Sequence, residues 1–375
     1  MKKSICFIVS SPFTVKSFLV NHIKALSEFY DVSVIANFEN IDHDLLKDLP
    51  LSELKHIPIS RSINVLKDFK TLMELVKYLK RKNFNAIHTV TPKAGLIGTT
   101  AGRLAKIKLR THIFTGQVWH TKQGVFKVLL KFIDKIIVSN STDILVDGES
   151  QRKFLIKNNI VKESNSSVLG RGSISGVDTK RFIPNELIKV ELKSELNFDA
   201  KDIVLMFLGR LNTDKGIVEL VDAFQKMNRP HVKLLFVGSD EENIEMKIKS
   251  KYSDTTSIKF YGPTPSPEKL LQVCDIFCLP SHREGFGTSI IEASLLEKPI
   301  LCSDTYGLME TILDNQTGLR HKVNDVDSII SKMKLLVNNP ELRRKLGVNG
   351  REYVLNNFRA EQITEEWLNY YKNNL

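Results

Sequence analysis

Apolar positions along this chain come in two alternating rhythms. Short runs rich in β-branched residues, at 5–9, 32–36, 86–90 and 111–114, predict strands. Between them, residues 16–29, 65–81, 93–106 and 125–138 repeat their apolar positions at helical spacing. A more polar stretch at 185–202 interrupts the pattern, which then restarts with strands predicted at 203–208, 232–237, 258–261 and 276–279 and helices at 218–227, 241–250 and 267–273. Such alternation gives parallel sheets covered by helices. The chain therefore reads as α/β, with two facing Rossmann-like doubly wound domains, residues 1–185 and 190–355. Beyond 325 the pattern is helical, with Pro340 opening one segment. The final helix, about 356–375, carries Trp367, Tyr370 and Tyr371 and is expected to pack back on the first domain.

Length agrees with two domains, since 375 residues exceed one core at about 150 residues per domain. Hydrophobic residues are 42% and charged residues 26%, which excludes disordered and fibrous classes. The apolar run at 5–9 is too short for a signal-peptide core or a bilayer span, so a cytoplasmic protein is expected. Cys6, Cys274, Cys278 and Cys302 sit in a long chain, three of them in apolar runs, and read as buried reduced thiols. No zinc site is assigned to Cys274 and Cys278, which lack a second ligand pair at the right spacing.

Charge changes the picture more than composition does. The net +11 is carried by residues 1–185, with 29 Lys+Arg against 15 Asp+Glu, while the remainder has 25 against 28. A field of that kind favours an anionic partner: nucleic acid, an anionic membrane face or a phosphorylated acceptor. Nucleic acid is set aside, because basic and aromatic residues do not interleave in any recognisable binding motif.

Candidate chemistry gathers where strands end, the edge at which doubly wound sheets bind ligands. After the strand at 276–279 comes Ser281-His282-Arg283-Glu284-Gly285-Phe286-Gly287-Thr288-Ser289, a loop that opens a helix. Gly285 and Gly287 allow close backbone approach, and amides at the helix start form an anion site suited to a pyrophosphate. Glu284 in the loop and Glu292, expected in the first helical turn, could both reach one extended ligand. Ser289-x-x-Glu292 also has the spacing of a capping box, the alternative role for Glu292. After the strand at 203–208 comes Gly209-Arg210-Leu211-Asn212-Thr213-Asp214-Lys215-Gly216, whose Arg210 and Lys215 are expected to project into the same cleft. Two fixed cations there would stabilise the charge growing on a departing diphosphate.

These elements resemble the donor site of family 4 retaining glycosyltransferases of the GT-B fold. The resemblance rests on Gly209-Arg210…Lys215-Gly216, on Glu284…Glu292 around Gly285-Phe286-Gly287, and on Ser175-Gly176-Val177-Asp178…Phe182. It implies that Arg210 and Lys215 bind the donor pyrophosphate, that Glu284 contacts the donor sugar as a catalytic residue, and that Glu292 holds the ribose. It further implies that the amides of Phe286, Gly287 and Thr288 complete the cradle while Gly238 and Gly262 border the nucleoside. The chain departs from the family at Ser10-Ser11-Pro12, where many relatives have Gly-Gly. It departs again at His120, displaced from the position of a family histidine and carried here as a second catalytic candidate, with packing as the alternative.

Acceptor candidates are Lys93, which opens a helix after a strand, and the loop residues Gly116 and Gln117. Residues 122–138 alternate Lys122, Lys127, Lys131 and Lys135 with apolar positions, which suits either a helix on anionic lipid or a helix whose apolar side enters the core. Together, residues and resemblance point to sugar transfer with retention from a uridine diphosphate sugar to a saccharide, lipid-linked in surface polysaccharide synthesis. The nucleotide sugar is a co-substrate; no cofactor and no metal are expected, since Asp42 and Asp44 around His43 lie in a polar loop. A sugar-nucleotide epimerase or a phosphorylase of the same architecture is the alternative among enzymes, and a basic nucleic-acid-binding protein the alternative from another class.

Overall fold

The computed structural model describes residues 2–60 and 64–375. The chain divides into two compact units, Met1–Gly176 with Ala360–Leu375, and Val177–Arg359. In chain order the first unit runs through β1 (Ser4–Ile8), α1 (Pro12–Phe18), α2 (Val20–Ser27), β2 (Asp31–Ala36), β3 (Glu53–His56) and α3 (Val65–Lys82). It continues with β4 (Ala86–Val90), α4 (Pro92–Leu104), β5 (Leu109–Phe114), α5 (Gly124–Asn140), β6 (Asp143–Val146), α6 (Glu149–Lys157) and β7 (Ser166–Ser167). The second unit comprises α7 (Glu186–Glu195), β8 (Ile203–Leu208), α8 (Ile217–Met227), β9 (Val232–Val237), α9 (Ile244–Lys251), β10 (Ile258–Gly262), α10 (Pro267–Leu270) and β11 (Ile276–Leu279). It closes with α11 (Thr288–Leu295), β12 (Ile300–Ser303), β13 (Gly318–His321), α12 (Val326–Asn338) and α13 (Pro340–Asn357), after which α14 (Ala360–Asn374) rejoins the first unit.

Each unit is built on one sheet whose strands pair in parallel, in the orders β3-β2-β1-β4-β5-β6-β7 and β10-β9-β8-β11-β12-β13. The α/β class with two Rossmann-like sheets is therefore the observed one. In both sheets the order reverses beside the first strand, between β1 and β4 and between β8 and β11, and such reversals open a crevice at the carboxyl edge. Strands β1, β8, β9 and β11 are largely apolar on both faces, as burial under two helix layers demands, whereas β4 and β5 also bury His88, Thr89, Thr111 and His112; all four cysteines lie inside at 0% exposure.

Residues 177–185 fall in the second unit, although the sequence pattern groups them with the first. The Val177 amide donates to the Phe358 carbonyl at 2.9 Å, and the Asn185 amide donates to Gln272 Oε1 at 3.0 Å.

The last helix is held to the first unit by a buried aromatic stack. Trp367 lies between His22 and His88, each ring centroid 4.7 Å away. His22 Nε2 donates to the Ile174 carbonyl at 2.7 Å, which leaves Nδ1 to accept from the Thr364 hydroxyl at 3.0 Å. His88 Nδ1 stands 2.8 Å from the Tyr371 hydroxyl. Burial lowers the His22 pKa to about 4 and holds His88 well below the ordinary imidazole value, so both rings are neutral at pH 7.

Helix α5 fits neither sequence-level alternative alone. Ile137 is buried, and Leu130, Ile133 and Val138 pack partly against a small core with Trp119. Val125, Phe126, Val128, Leu129 and Phe132 are exposed.

Candidate active site

Two loops of the second unit meet at the reversal between β8 and β11. The loop after β8 passes through Gly209 and Arg210 into a short 3-10 turn, Thr213–Lys215, and enters α8 at Gly216. The loop after β11 carries Ser281 to Gly287 into α11. Gly216 has φ of 65°, and a Cβ there would lie 2.2 Å from the Pro280 carbonyl oxygen, so only glycine lets the loops close this tightly.

Side chains then lock them together. Lys215 Nζ pairs with Glu284 Oε1, and the buried Ser281 hydroxyl donates to the same oxygen at 2.8 Å. Arg283 Nε donates to Asp214 Oδ2 at 2.8 Å, and the His282 amide donates to the Asp214 carbonyl at 2.8 Å. His282 Nε2 lies 3.3 Å from Glu219 on α8. From the other side, Ser303 donates to the Ser281 carbonyl at 2.5 Å and Thr305 to the His282 carbonyl at 2.9 Å. Glu284 is thereby fixed together with the first residues of its loop.

Arg210 and Lys215 take different carboxylate partners. Arg210 turns to Glu241 after β9, donating through Nη1 at 3.0 and 3.1 Å, and its side chain is 58% exposed. Lys215, 17% exposed, pairs with Glu284 instead. Each cation takes the carboxylate that its own end of the loop can reach.

The helix start is also rearranged. Helix α11 begins at Thr288 with Gly287 as its cap at φ 75°, and a Cβ on Gly287 would come 2.4 Å from Leu308 Cδ2. Ser289 is thus already helical, and the capping box with Glu292 does not form. Glu292 is the fifth residue of α11, in its second turn rather than its first. Half-buried there, its carboxyl is pushed up to about 7 by desolvation, against the pull of Arg181; Glu268 adds to the rise. Arg181 itself is bonded to Glu268, Nε to Oε2 at 2.8 Å.

Phe286 is a core residue, 3% exposed and edge-on to Phe358 at 5.2 Å, so only its backbone faces the loop's chemistry. At the adjacent strand ends the Gly209 amide donates to the Val237 carbonyl and the Gly238 amide to the Gly262 carbonyl, both at 2.9 Å. Gly238 sits so close to the Gly209 carbonyl that a Cβ would be 1.8 Å from its oxygen. Around Gly262 the space is open.

First-unit candidates gather at their own sheet's carboxyl edge. Ser10 and Thr91 hydroxyls lie 3.1 Å apart across the reversal between β1 and β4, and Thr91, β-branched yet at φ 79°, caps α4 without a side-chain bond. Lys93 Nζ pairs with Asp68 of α3. Gln117, 1% exposed, accepts from Gln151 at 3.0 Å beside Gly116, whose φ is 113°. His120 packs edge-on to Phe154 at 4.9 Å, next to Trp119, whose Nε1 donates to Asp134 Oδ2 at 2.7 Å.

This geometry can be set beside known proteins. The sequence model of the family described as glycosyl transferases group 1 matches residues 189–353, the segment that holds both loops. The capsular polysaccharide biosynthesis glycosyltransferase CapM of Staphylococcus aureus is 31% identical over 321 residues, which cover 84% of each chain. This chain belongs to the group 1 glycosyl transferases. The transferase is also 28% identical to an N,N'-diacetylbacillosaminyl-diphospho-undecaprenol alpha-1,3-N-acetylgalactosaminyltransferase of Campylobacter jejuni, over 93% of each chain. In fold it matches HepE of Anabaena, solved with UDP-glucose, at a TM-score of 0.82 and 16% identity over 99% of each chain. That likeness gives the architecture, GT-B.

Several residues that shape the transferase's loops are absent from the sequence-level site: Asp214, Glu219, Glu241, Ser281 and Arg283. Except for Ser281, which bonds Glu284 three positions on, their side-chain pairings join residues far apart in sequence, 69 positions in the case of Asp214 and Arg283. Periodicity carries no signal for such pairs. A sharper reading of Asp214-Lys215 and Arg283-Glu284, adjacent opposite charges in two loops bound for one sheet edge, could have suggested a crossed pairing.

Proposed function

We propose that this transferase moves a hexose or N-acetylhexosamine, with retention at the anomeric carbon, from a uridine diphosphate sugar to a lipid-linked saccharide in surface polysaccharide synthesis. The observation that carries the reading is the Lys215–Glu284 pair, held by Ser281 at the crevice where the second sheet reverses its order, one loop away from the start of α11. A cation and an acid so fixed suit a ligand with a diphosphate next to a sugar. Lys215, with Arg210 released from Glu241, would take the diphosphate; Glu284 would orient the sugar; Glu292 would accept from the ribose hydroxyls. Gly209, Gly238 and Gly262 would border the nucleoside.

In the reaction, the bond from the anomeric carbon to the diphosphate oxygen breaks and the acceptor's oxygen bonds to that carbon on the same face. The acceptor's hydroxyl proton passes to the departing diphosphate, whose charge Lys215 and Arg210 balance. The nucleotide sugar is a co-substrate, and the reading asks for no cofactor. Support for the acceptor class comes from the Campylobacter relative, whose name specifies a diphospho-undecaprenol saccharide, and for the polysaccharide setting from CapM. Lys93, Gly116 and Gln117 stay candidates for the acceptor side, and His120 stays a second catalytic candidate.

The test is a thermal-shift screen of nucleoside diphosphate sugars, followed by mass analysis of products on diphospho-lipid saccharide acceptors. A ligand specific to the folded chain raises its melting temperature. Stabilisation by UDP and a UDP-sugar, with transfer at retained configuration, is expected; stabilisation by no uridine nucleotide would overturn the donor assignment.

A further inference from the structure

Two helices of the first unit present apolar side chains that no core covers. Val65, Leu66, Phe69 and Met73 at the start of α3, and Val125, Phe126, Val128, Leu129 and Phe132 on α5, are between 46% and 86% exposed. Single exposed apolar residues need no explanation, but nine in two groups do. Both helices pack against α4, one on each side of it. Both begin at the carboxyl edge of the first sheet, because crossover helices run against their strands. The two groups therefore flank the start of α4, where Thr91 and Lys93 lie.

Charge says what fits against them. Lys67 and Lys70 are exposed on α3, and Lys122, Lys127 and Lys135 border the α5 group. The single acid of α5, Asp134, is buried against the Trp119 indole. By unit, the first has 28 Lys+Arg against 17 Asp+Glu, whereas the second is balanced at 26 against 26. The whole net charge thus lies on the unit that bears the uncovered apolar helices. A second copy placed on this face would bring lysines against lysines. An apolar band bordered by lysines matches a surface with an oily interior beneath anionic headgroups.

We propose that α3 and α5 seat the first unit on an anionic lipid bilayer, with their apolar side chains in the acyl boundary and the lysines at the phosphates. Among the described residues no helix is long and apolar enough to cross a membrane. Such seating would bring the transferase to a lipid-linked acceptor, a purpose that rests on the function proposed above; the binding itself does not.

The experiment is co-sedimentation of the full chain with vesicles of phosphatidylcholine, pure or with about one-third phosphatidylglycerol, at low salt and at about 0.5 M salt. The unaltered chain should partition at least tenfold better onto anionic vesicles at low salt, and lose most of that preference at high salt. Replacing Phe126 and Phe132 by serine should weaken binding by about tenfold or more, since both side chains are exposed and carry the buried apolar area. Lys127→Gln with Lys135→Gln should weaken it roughly 25-fold, at about fivefold per lysine. Absent or salt-insensitive binding, or binding unchanged in both variants, overturns the proposal. So does sedimentation showing a dimer that the serine variant disperses, with no vesicle binding, because the face would then join two copies. Calorimetry with UDP on the same variants separates the two readings: lost vesicle binding with unchanged UDP affinity is expected, and vesicle binding by a chain that binds no UDP would sink the donor site alone.

Discussion

Replacing Lys215 by methionine keeps the stem and removes the charge at the centre of the crossed loops. Glu284 is 13% exposed and would keep only the Ser281 hydroxyl at 2.8 Å as a partner. Breaking a fully buried pair costs about 3–5 kcal/mol, and the residual exposure and the serine bring the expected loss to about 2 kcal/mol. For a unit of this size that is a fall of about 4–8 °C in melting temperature. If Lys215 also holds the diphosphate, one charge-assisted contact worth about 1.5–3 kcal/mol disappears, weakening UDP binding roughly 10- to 150-fold. Adding Glu284→Gln separates the two effects. Without a carboxylate to strand, the double variant should recover most of the stability while UDP affinity in calorimetry stays low. Recovery of UDP affinity along with stability would refute the reasoning, because Lys215 would then serve only to neutralise Glu284.

Arg210→Ala should leave thermal stability within about 1 kcal/mol, since its Glu241 partner is on an exposed surface, while weakening UDP binding in calorimetry; unchanged affinity would remove Arg210 from the donor site. With the Glu292 carboxyl raised to about 7, its charged form grows between pH 6 and 8, so UDP affinity should rise across that range in the unaltered chain and lose this Glu292-dependent rise in Glu292→Gln; equal pH profiles would count against a ribose contact. His22 and His112, lowered by burial to about 4 and about 3, bind no proton in the native state where the unfolded chain does. Stability should therefore be full above pH 6.5 and decline as pH falls below it, by about 2 kcal/mol for each ring at pH 5; urea unfolding at pH 7 and pH 5 that agreed within error would contradict their neutral burial.

Much of the fold was legible because parallel strands covered on both faces write long apolar runs, as β8 and β9 do. Strand β3 was missed for the opposite reason: Glu53-Leu54-Lys55-His56 lies half-buried at a sheet edge, where only one neighbour and partial cover select for hydrophobicity, whereas β6, β12 and β13 were missed although they are mostly buried. Helix α7 hid within a polar stretch because Lys193 is its one buried residue. At the site, the sequence located the loops through their glycines and strand ends. It could not pair their side chains, so it missed that Arg210 takes Glu241 and Lys215 takes Glu284, and it gave Glu292 a possible capping role although Gly287 is the cap residue. Phe286 shows the same limit, since a motif position names a residue without saying whether backbone or side chain serves.

The detour of the chain through the second unit, leaving the first at Gly176 and re-entering it at Ala360, orders events during synthesis. Trp367 and Tyr371, the residues that complete the stack on His22 and His88, are synthesised only after the whole second unit. The first unit therefore waits, with that patch unsealed, until the second has been translated in full. A nascent chain halted just after residue 359 would hold a complete second unit beside a first unit still lacking its last helix.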